Sequence, residues 1–374
     1  MYKVIHLITG LSTGGAERAL CNVLQGGVSK DFDNLVVSLT DEGTVGASIR
    51  ALGVPVATLG MQRGRPSISS VFKLRNIIYK FQPDLIQGWM YHGNLVSTFA
   101  SKMARKQTKV VWNIRHSVYN MKDEKPSTRF IIYLNRLFST VPDTILYNSQ
   151  TSRQQHEALG FSKYKGKVLP NGFDLKLFSY SHNTRSRMRE GLGIPANSFV
   201  VGHVARFHPM KNHMSFLKVT TSLVSRYPGL YVVLCGRDVV IENRELSSLI
   251  PVSLRNRFRL LGERNDIPGV MSVMDIFCQS SWSEAFPNVL GEAMASSLPC
   301  VATDVGDSAS IVGDSGIIVP PRDEAALEAG IEKLLLASDE ERSFLKVRAK
   351  EKIHKCYALN NVVVGYKSLY RDLL

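Results

Sequence analysis

Two rhythms alternate along the chain. Short runs rich in β-branched and aromatic residues (YKVIHLIT at 2–9, DNLVVSLT at 33–40, VPVATL at 54–59, DLIQGW at 84–89, KVVWNIR at 109–115, DTILYNS at 143–149) are separated by stretches with helical spacing, such as Gly15–Gly27, Ser67–Lys80 and Asn94–Arg105. Strands separated by helix-length segments predict βαβ units and a parallel sheet. Residues 160–196 break the rhythm with a Pro-Asn-Gly turn signal and a polar stretch, SYSHNTRSRMREGLGIPANS. It then resumes in SFVVGHVARF (198–207), LYVVLCG (230–236), FRLLG (258–262), DIFCQSS (275–281), PCVATD (299–304) and GIIVP (316–320), and ends in a helical tail from Asp323 to Leu374 with a possible bend at Gly365. The pattern predicts an α/β protein of two doubly wound domains, 1–172 and 173–374, with ligand in a cleft facing the carboxyl ends of both sheets.

Composition narrows this. The 374 residues are 44% hydrophobic and 21% charged, the balance of a globular protein. No apolar run reaches the ~18–20 residues of a membrane-spanning helix, and MYKVIHLITGLSTGGAER reads as a first buried strand rather than a secretion signal. The five cysteines are scattered, with no C-x-x-C, so reduced thiols in a cytoplasmic protein are expected. The net charge is +14, and residues 1–171 carry +12 of it (22 Lys and Arg against 10 Asp and Glu). A basic half suits nucleic acid, an anionic membrane or a phosphate-bearing substrate. No helix-turn-helix, zinc-finger or RNP signature accompanies it, so nucleic acid is not the expected partner.

Four segments could carry chemistry. STGGAER (12–18) joins the first strand to its helix; Gly15 lets a ligand approach, and the helix N-terminus offers N–H groups to an anion, unless the segment is only a tight turn. In VARFHPMKN (204–212), Arg206 and Lys211 flank a turn and could clamp a diphosphate, or be solvated surface cations. In SWSEAFPNVLGEAMASSLPCVATD (281–304), Pro287 suits a helix start, Glu284 falls in the preceding loop and Glu292 within the helix. The first N–H groups, at Asn288 and Val289, would favour phosphate, while the carboxylates suit sugar hydroxyls. His92 and His116 each follow a strand where a cleft-facing loop should begin, although a lone histidine is often only a structural hydrogen-bonder. His6, inside a strand, reads as structural.

Taken together, Gly14-Gly15-Ala16-Glu17, Pro170-Asn171-Gly172, Arg206 with Lys211, Gly262-Glu263-Arg264 and the Glu284-to-Glu292 segment with its Ala-Phe-Pro-Asn resemble the retaining glycosyltransferases of family 4, of the GT-B fold and the bacterial surface-polysaccharide type. The resemblance covers essentially the whole chain. It implies two Rossmann-like domains, an N-terminal one for the acceptor and a C-terminal one for a nucleotide-sugar, with the last helix, about 358–374, packing back on the first. It implies that Gly15 admits the donor diphosphate, that Arg206 and Lys211 neutralise the leaving group, and that Glu284 holds donor-sugar hydroxyls. Phe286, Asn288 and Val289 would support sugar and phosphate through backbone, Glu292 would accept from the ribose, and Glu263 and Arg264 would border the base. His116, or its rival His92, would sit near the anomeric centre.

The resemblance also implies a UDP-sugar donor, with GDP-mannose as competitor, and chemistry without a metal ion or other cofactor. DFD at 31–33 reads as a turn rather than a metal site. The expected acceptor is a saccharide, lipid-linked, in cell-surface polysaccharide or lipopolysaccharide assembly. MQRGRPSISSVFKLR (61–75) and KPSTRFIIYLNRLF (125–138) mix cations with apolar residues and suggest a peripheral seat on the anionic inner face of the cytoplasmic membrane, unless the second is an ordinary core helix. Alternatives are a nucleotide-sugar epimerase of the same fold and a non-catalytic nucleotide-sugar binder.

Overall fold

The computed structural model describes residues 1–12, 14–62, 67–179 and 181–374. Thr13 of the first glycine loop and Arg63 and Arg65 of the first basic segment lie outside the described residues. The chain forms two compact units, Met1–Gly172 with Leu359–Leu374, and Phe173–Ala358. Each is a parallel sheet with helices on both faces.

The first unit contains β1 (Lys3–Ile8), β2 (Asp33–Ser38), β3 (Val56–Thr58), β4 (Leu85–Trp89), β5 (Lys109–Ile114), β6 (Thr144–Tyr147) and β7 (Gly166–Val168), in the order β3-β2-β1-β4-β5-β6-β7. The second contains β8 (Phe199–Val204), β9 (Leu230–Cys235), β10 (Phe258–Leu260), β11 (Ile276–Gln279), β12 (Cys300–Thr303) and β13 (Gly316–Val319), in the order β10-β9-β8-β11-β12-β13. Both sheets are Rossmann-like. Their strand order reverses between β1 and β4 and between β8 and β11, the places where open α/β sheets bind ligands. The central strands are apolar and buried on both faces, which is why they read as continuous hydrophobic runs.

Three local features differ from the sequence reading. β7 is an additional three-residue strand, pairing Gly166 with Ile145, inside the stretch that reads as irregular. The helix expected from Asn94 starts at Met90, directly after β4, so His92 lies in its first turn rather than in a loop. Glycines allow this close packing: a Cβ on Gly93 would stand 2.4 Å from the Leu7 carbonyl oxygen. The helical tail breaks at Ala337–Ser338 and Ala358, not at Gly365. Gly365 sits within the helix Leu359–Leu373, where a Cβ would come 2.7 Å from Leu169 Cδ1. It is a contact point, not a bend.

That last helix belongs to the first unit. It buries Val362, Val363, Tyr366, Leu369 and Tyr370, one apolar stripe at helical spacing. Tyr366 stacks on Trp89 with centroids 6.3 Å apart and accepts from Asn113 Nδ2 at 2.9 Å. Lys367 and Arg371 pair with Asp31 at 3.1 and 2.6 Å, giving the DFD segment a structural partner. Gly172 of the Pro-Asn-Gly turn makes room for the start of this helix, since a Cβ there would lie 2.7 Å from Leu359 Cα.

Candidate active site

The second unit's switch point holds a cavity of about 160 Å³, lined among others by His203, Lys211, Ser281, Glu284, Asn288 and Val289. Sites that enclose a whole drug-sized ligand run to ~300–1,000 Å³, so this cavity suits part of a larger molecule. Lys211 arrives on a 3₁₀ turn, Pro209–Lys211, that follows β8. Asn212, in the left-handed region at φ 53°, then turns the chain and caps the helix His213–Arg226. Lys211 Nζ donates to Glu284 Oε1 at 2.5 Å, and Ser281 Oγ donates to the same oxygen at 2.7 Å. The two charged side chains are 26% and 13% exposed, so each depends on the other for charge compensation.

The loops that carry this pair are knitted together. Ser280 Oγ donates to the carbonyl oxygens of Lys211 and Asn212, both at 3.1 Å, and the Trp282 N–H donates to Met210 O at 2.8 Å. From the far side, the loop after β12 lies against Glu284: the Asp307 N–H donates to Ala285 O at 3.1 Å. Gly306, at φ 59°, permits that approach, because a Cβ would stand 2.5 Å from Ala285 O. The helix Asn288–Ala295 opens at the cavity behind Pro287. Gly291 leaves space for Phe173, whose Cζ would be 2.1 Å from an added Cβ.

Below the pair lie two buried histidines. His203 Nδ1 bonds the Cys278 carbonyl oxygen at 2.9 Å and His213 Nε2 bonds the Ala205 carbonyl oxygen at 3.1 Å. A carbonyl only accepts, so each ring donates there and carries its lone pair on the other nitrogen. Burial pushes His203 well below its ordinary value and His213 down to about 4. The floor of the site is therefore neutral, and the mobile charge above it belongs to Lys211 and Glu284.

Of the other candidates only Phe286 lines the cavity; the rest are not among its lining residues. Arg206 is exposed and makes no ion pair among the described residues. Arg264 forks onto Asp266 at 2.7 and 2.6 Å, which holds Asp266 below the usual carboxylate range, while Glu263 is exposed. Glu292 is partly buried on its helix, and the Phe286 ring is core, stacked 6.1 Å from Phe173. Gly15 opens the helix Gly15–Val23 and is exposed. His92 is exposed with no hydrogen-bond partner among the described residues. His116, after β5, is held: its Nε2 bonds Glu124 Oε1 at 2.6 Å, and its ring stands edge-on to Tyr91. A larger hollow, about 330 Å³, lies at the amino ends of β1–β3 around Met1, Phe32 and Pro55. It is at the opposite ends of the strands from those where such sheets bind ligands.

Sequence reasoning does not find Glu124, His203 or Gly306. Glu124 sits after an irregular turn with no fixed spacing from His116. His203 lies in an apolar strand and Gly306 looks like an ordinary loop glycine.

Comparison with known proteins agrees with this architecture. Residues 13–177 match the model described as Glycosyltransferase Family 4, and residues 198–337 match Glycosyl transferases group 1. The putative glycosyltransferase EpsF of Bacillus subtilis is 26% identical over 81% of this chain and 79% of its own. The Escherichia coli UDP-Gal:alpha-D-GlcNAc-diphosphoundecaprenol alpha-1,3-galactosyltransferase is 23% identical over 87% of this chain and 85% of its own. In fold, the chain superposes on Anabaena HepE, solved in complex with UDP, with a TM-score of 0.84 at 24% identity over 99% of this chain and 100% of that one. The two Rossmann-like units have the GT-B fold, and the two matching models make the chain a glycosyltransferase. The chain belongs to glycosyltransferase family 4.

Proposed function

We propose that this enzyme transfers a hexosyl or N-acetylhexosaminyl residue from a UDP-sugar to a lipid-linked saccharide, with retention of anomeric configuration, in cell-surface polysaccharide assembly. The observation that carries the reading is the Lys211–Glu284 pair in the switch-point cavity. When a donor enters, Lys211 turns its charge to the diphosphate, and Glu284 accepts from sugar hydroxyls in its place. Arg206 reaches the phosphates from the same loop, the start of the helix Asn288–Ala295 supports them, and Gly15 admits the diphosphate. Glu292 takes the ribose, and the stretch Glu263–Arg264 borders the base. Charge on the departing diphosphate sets much of the barrier, and positioned cations lower it, so no metal is needed. The acceptor oxygen bonds to the anomeric carbon as the bond to the diphosphate breaks on the same face, and the acceptor proton passes to the departing phosphate oxygen. His116, oriented by Glu124, sits near the anomeric centre. The UDP complex of HepE and the lipid-linked substrate of the E. coli relative support this choice of donor and acceptor class.

The test is product analysis with UDP-glucose, UDP-galactose and their N-acetyl forms, an undecyl-diphosphate GlcNAc acceptor, and EDTA. An α-linked product from a UDP-α-sugar, undiminished by EDTA, supports the reading. A new sugar nucleotide formed without acceptor would instead indicate an epimerase, and binding with no turnover a non-catalytic binder.

An anionic membrane surface, at the inner face of the cytoplasmic membrane, is the proposed working place. No helix among the described residues is long and apolar enough to cross a membrane. The helix Pro126–Phe138 buries only Ile132 and Asn135, and exposes Phe130, Tyr133 and Leu137 beside Arg129 and Arg136. An outward apolar stripe flanked by cations suits the headgroup region of a bilayer. Flotation should occur with anionic vesicles and fail with neutral ones; equal partitioning would remove the membrane from the account.

A further inference from the structure

Beside His116 lies a cation that the reaction scheme does not use. Arg115 follows β5 at its carboxyl end and is partly buried. Its guanidinium stands 5.5 Å from the centre of the Trp89 ring and donates from Nη1 to Asn113 Oδ1 at 3.3 Å, with the Tyr366 hydroxyl as its neutral neighbour. Its Nε is buried with no partner. Every protein partner is neutral: no carboxylate pairs with Arg115 among the described residues. The nearest acid in sequence, Glu124, is taken by His116. Burial lowers the Arg115 pKa, a sign that the desolvated charge is not fully compensated.

A desolvated cation without a counter-charge costs stability. Folding alone gives no reason to keep it, since a neutral side chain could bridge Asn113 and Tyr366. The position does: it is the carboxyl end of the central strands, at the side chain next to the histidine assigned to the anomeric centre. A guanidinium with spare N–H groups presents a fork that matches a phosphate in two-point geometry. The Trp89 ring beneath it, and its neutral partners, hold the fork in place without neutralising it.

We propose that Arg115 is the anchor for a phosphate group on the acceptor, so that the enzyme selects acceptors whose saccharide is joined to a phosphate or diphosphate. This deepens, and rests on, the reading of the acceptor as lipid-linked. It places acceptor phosphate on the first unit and donor phosphate on Lys211 in the second.

The test compares two probes by calorimetry on the full chain: GlcNAc diphosphate undecyl ester and the undecyl glycoside of GlcNAc, which lacks phosphate. UDP is titrated in parallel. The wild type should bind the diphosphate probe at least ten-fold more tightly than the glycoside. Arg115→Gln should erase that preference, Arg115→Lys should keep part of it, and neither should change UDP affinity. A wild type without preference overturns the proposal even if the variants misfold. So does a preference that survives in Arg115→Gln, or a loss confined to UDP, which would assign Arg115 to the donor. Failure of UDP to bind the wild type would instead break the donor reading and leave the probe comparison to judge Arg115 by itself.

Discussion

The two units share one wound topology and use their switch points differently. In the second, the charges are matched before any ligand arrives: Lys211 meets Glu284, both tied down by Ser280, Ser281 and the Gly306 turn. In the first, Tyr366 stacks on Trp89 of β4, and the cation beside that ring, Arg115 after β5, has only neutral partners. The same fold thus supports a preformed, self-compensated site and a site left electrostatically open. A self-compensated pair exchanges partners when a molecule with both phosphate and hydroxyls enters. An uncompensated cation waits for an anion. That difference suits a donor that carries both groups and an acceptor chosen for its phosphate.

The largest effect expected from breaking this contrast is at Lys211. Lys211→Ala leaves Glu284 in a mostly buried position without its cation and removes charge from the diphosphate. A loss of ~10²–10³ in kcat/KM is expected, read by initial rates at saturating acceptor, with UDP affinity falling in parallel. A change below five-fold would separate the pair from the chemistry. Glu124→Gln comes next. It keeps the size of the side chain but removes the charged partner of His116; about ten-fold lower kcat/KM with near-native melting is the expected result, less than the ~10²–10⁴ that a general acid or base itself contributes. Loss of melting temperature alone would make the contact structural.

Gly306→Ala tests how the Glu284 loop is held. The added Cβ meets the Ala285 carbonyl at a backbone angle that side chains disfavour. A stability loss of ~1–3 kcal/mol by urea unfolding is expected, together with a raised donor KM; unaltered values would show that the loop yields freely. The most evenly shared effect is in acid. His6 and His156 in the first unit and His213 in the second are all pushed down to about 4 by burial. In the unfolded chain they protonate near 6.5, so the stability of their neutral folded form is fully present above that value. It is lost as pH falls from 6.5 toward 4, by up to about 3 kcal/mol for each. Thermal melts across that window should show the decline in both units, and a flat profile would contradict the burial.

Much of this was legible in the residues. Twelve of the strands stand out because a parallel sheet buried on both faces demands unbroken apolar runs. β7 does not, because three residues at an edge, starting with glycine, carry almost no pattern. Lys211 and Glu284 were readable as chemistry, since both sit where a strand ends and a helix starts. Their mutual contact was not, being a product of two loops 73 residues apart. Arg115 was hidden for another reason. Its significance lies in a missing counter-charge, and an absence of that kind appears only when Trp89, Asn113 and Tyr366 are seen around it.

One measurement addresses the central claim, that the donor is held by the compensated pair of the second unit. Calorimetric titration of UDP into the full chain, its Lys211→Ala variant and its Arg115→Gln variant separates the two switch points directly. Binding to the wild type and to Arg115→Gln with equal affinity, and a loss of at least ten-fold in Lys211→Ala, is the predicted result. UDP binding that survives in Lys211→Ala and disappears in Arg115→Gln would contradict it.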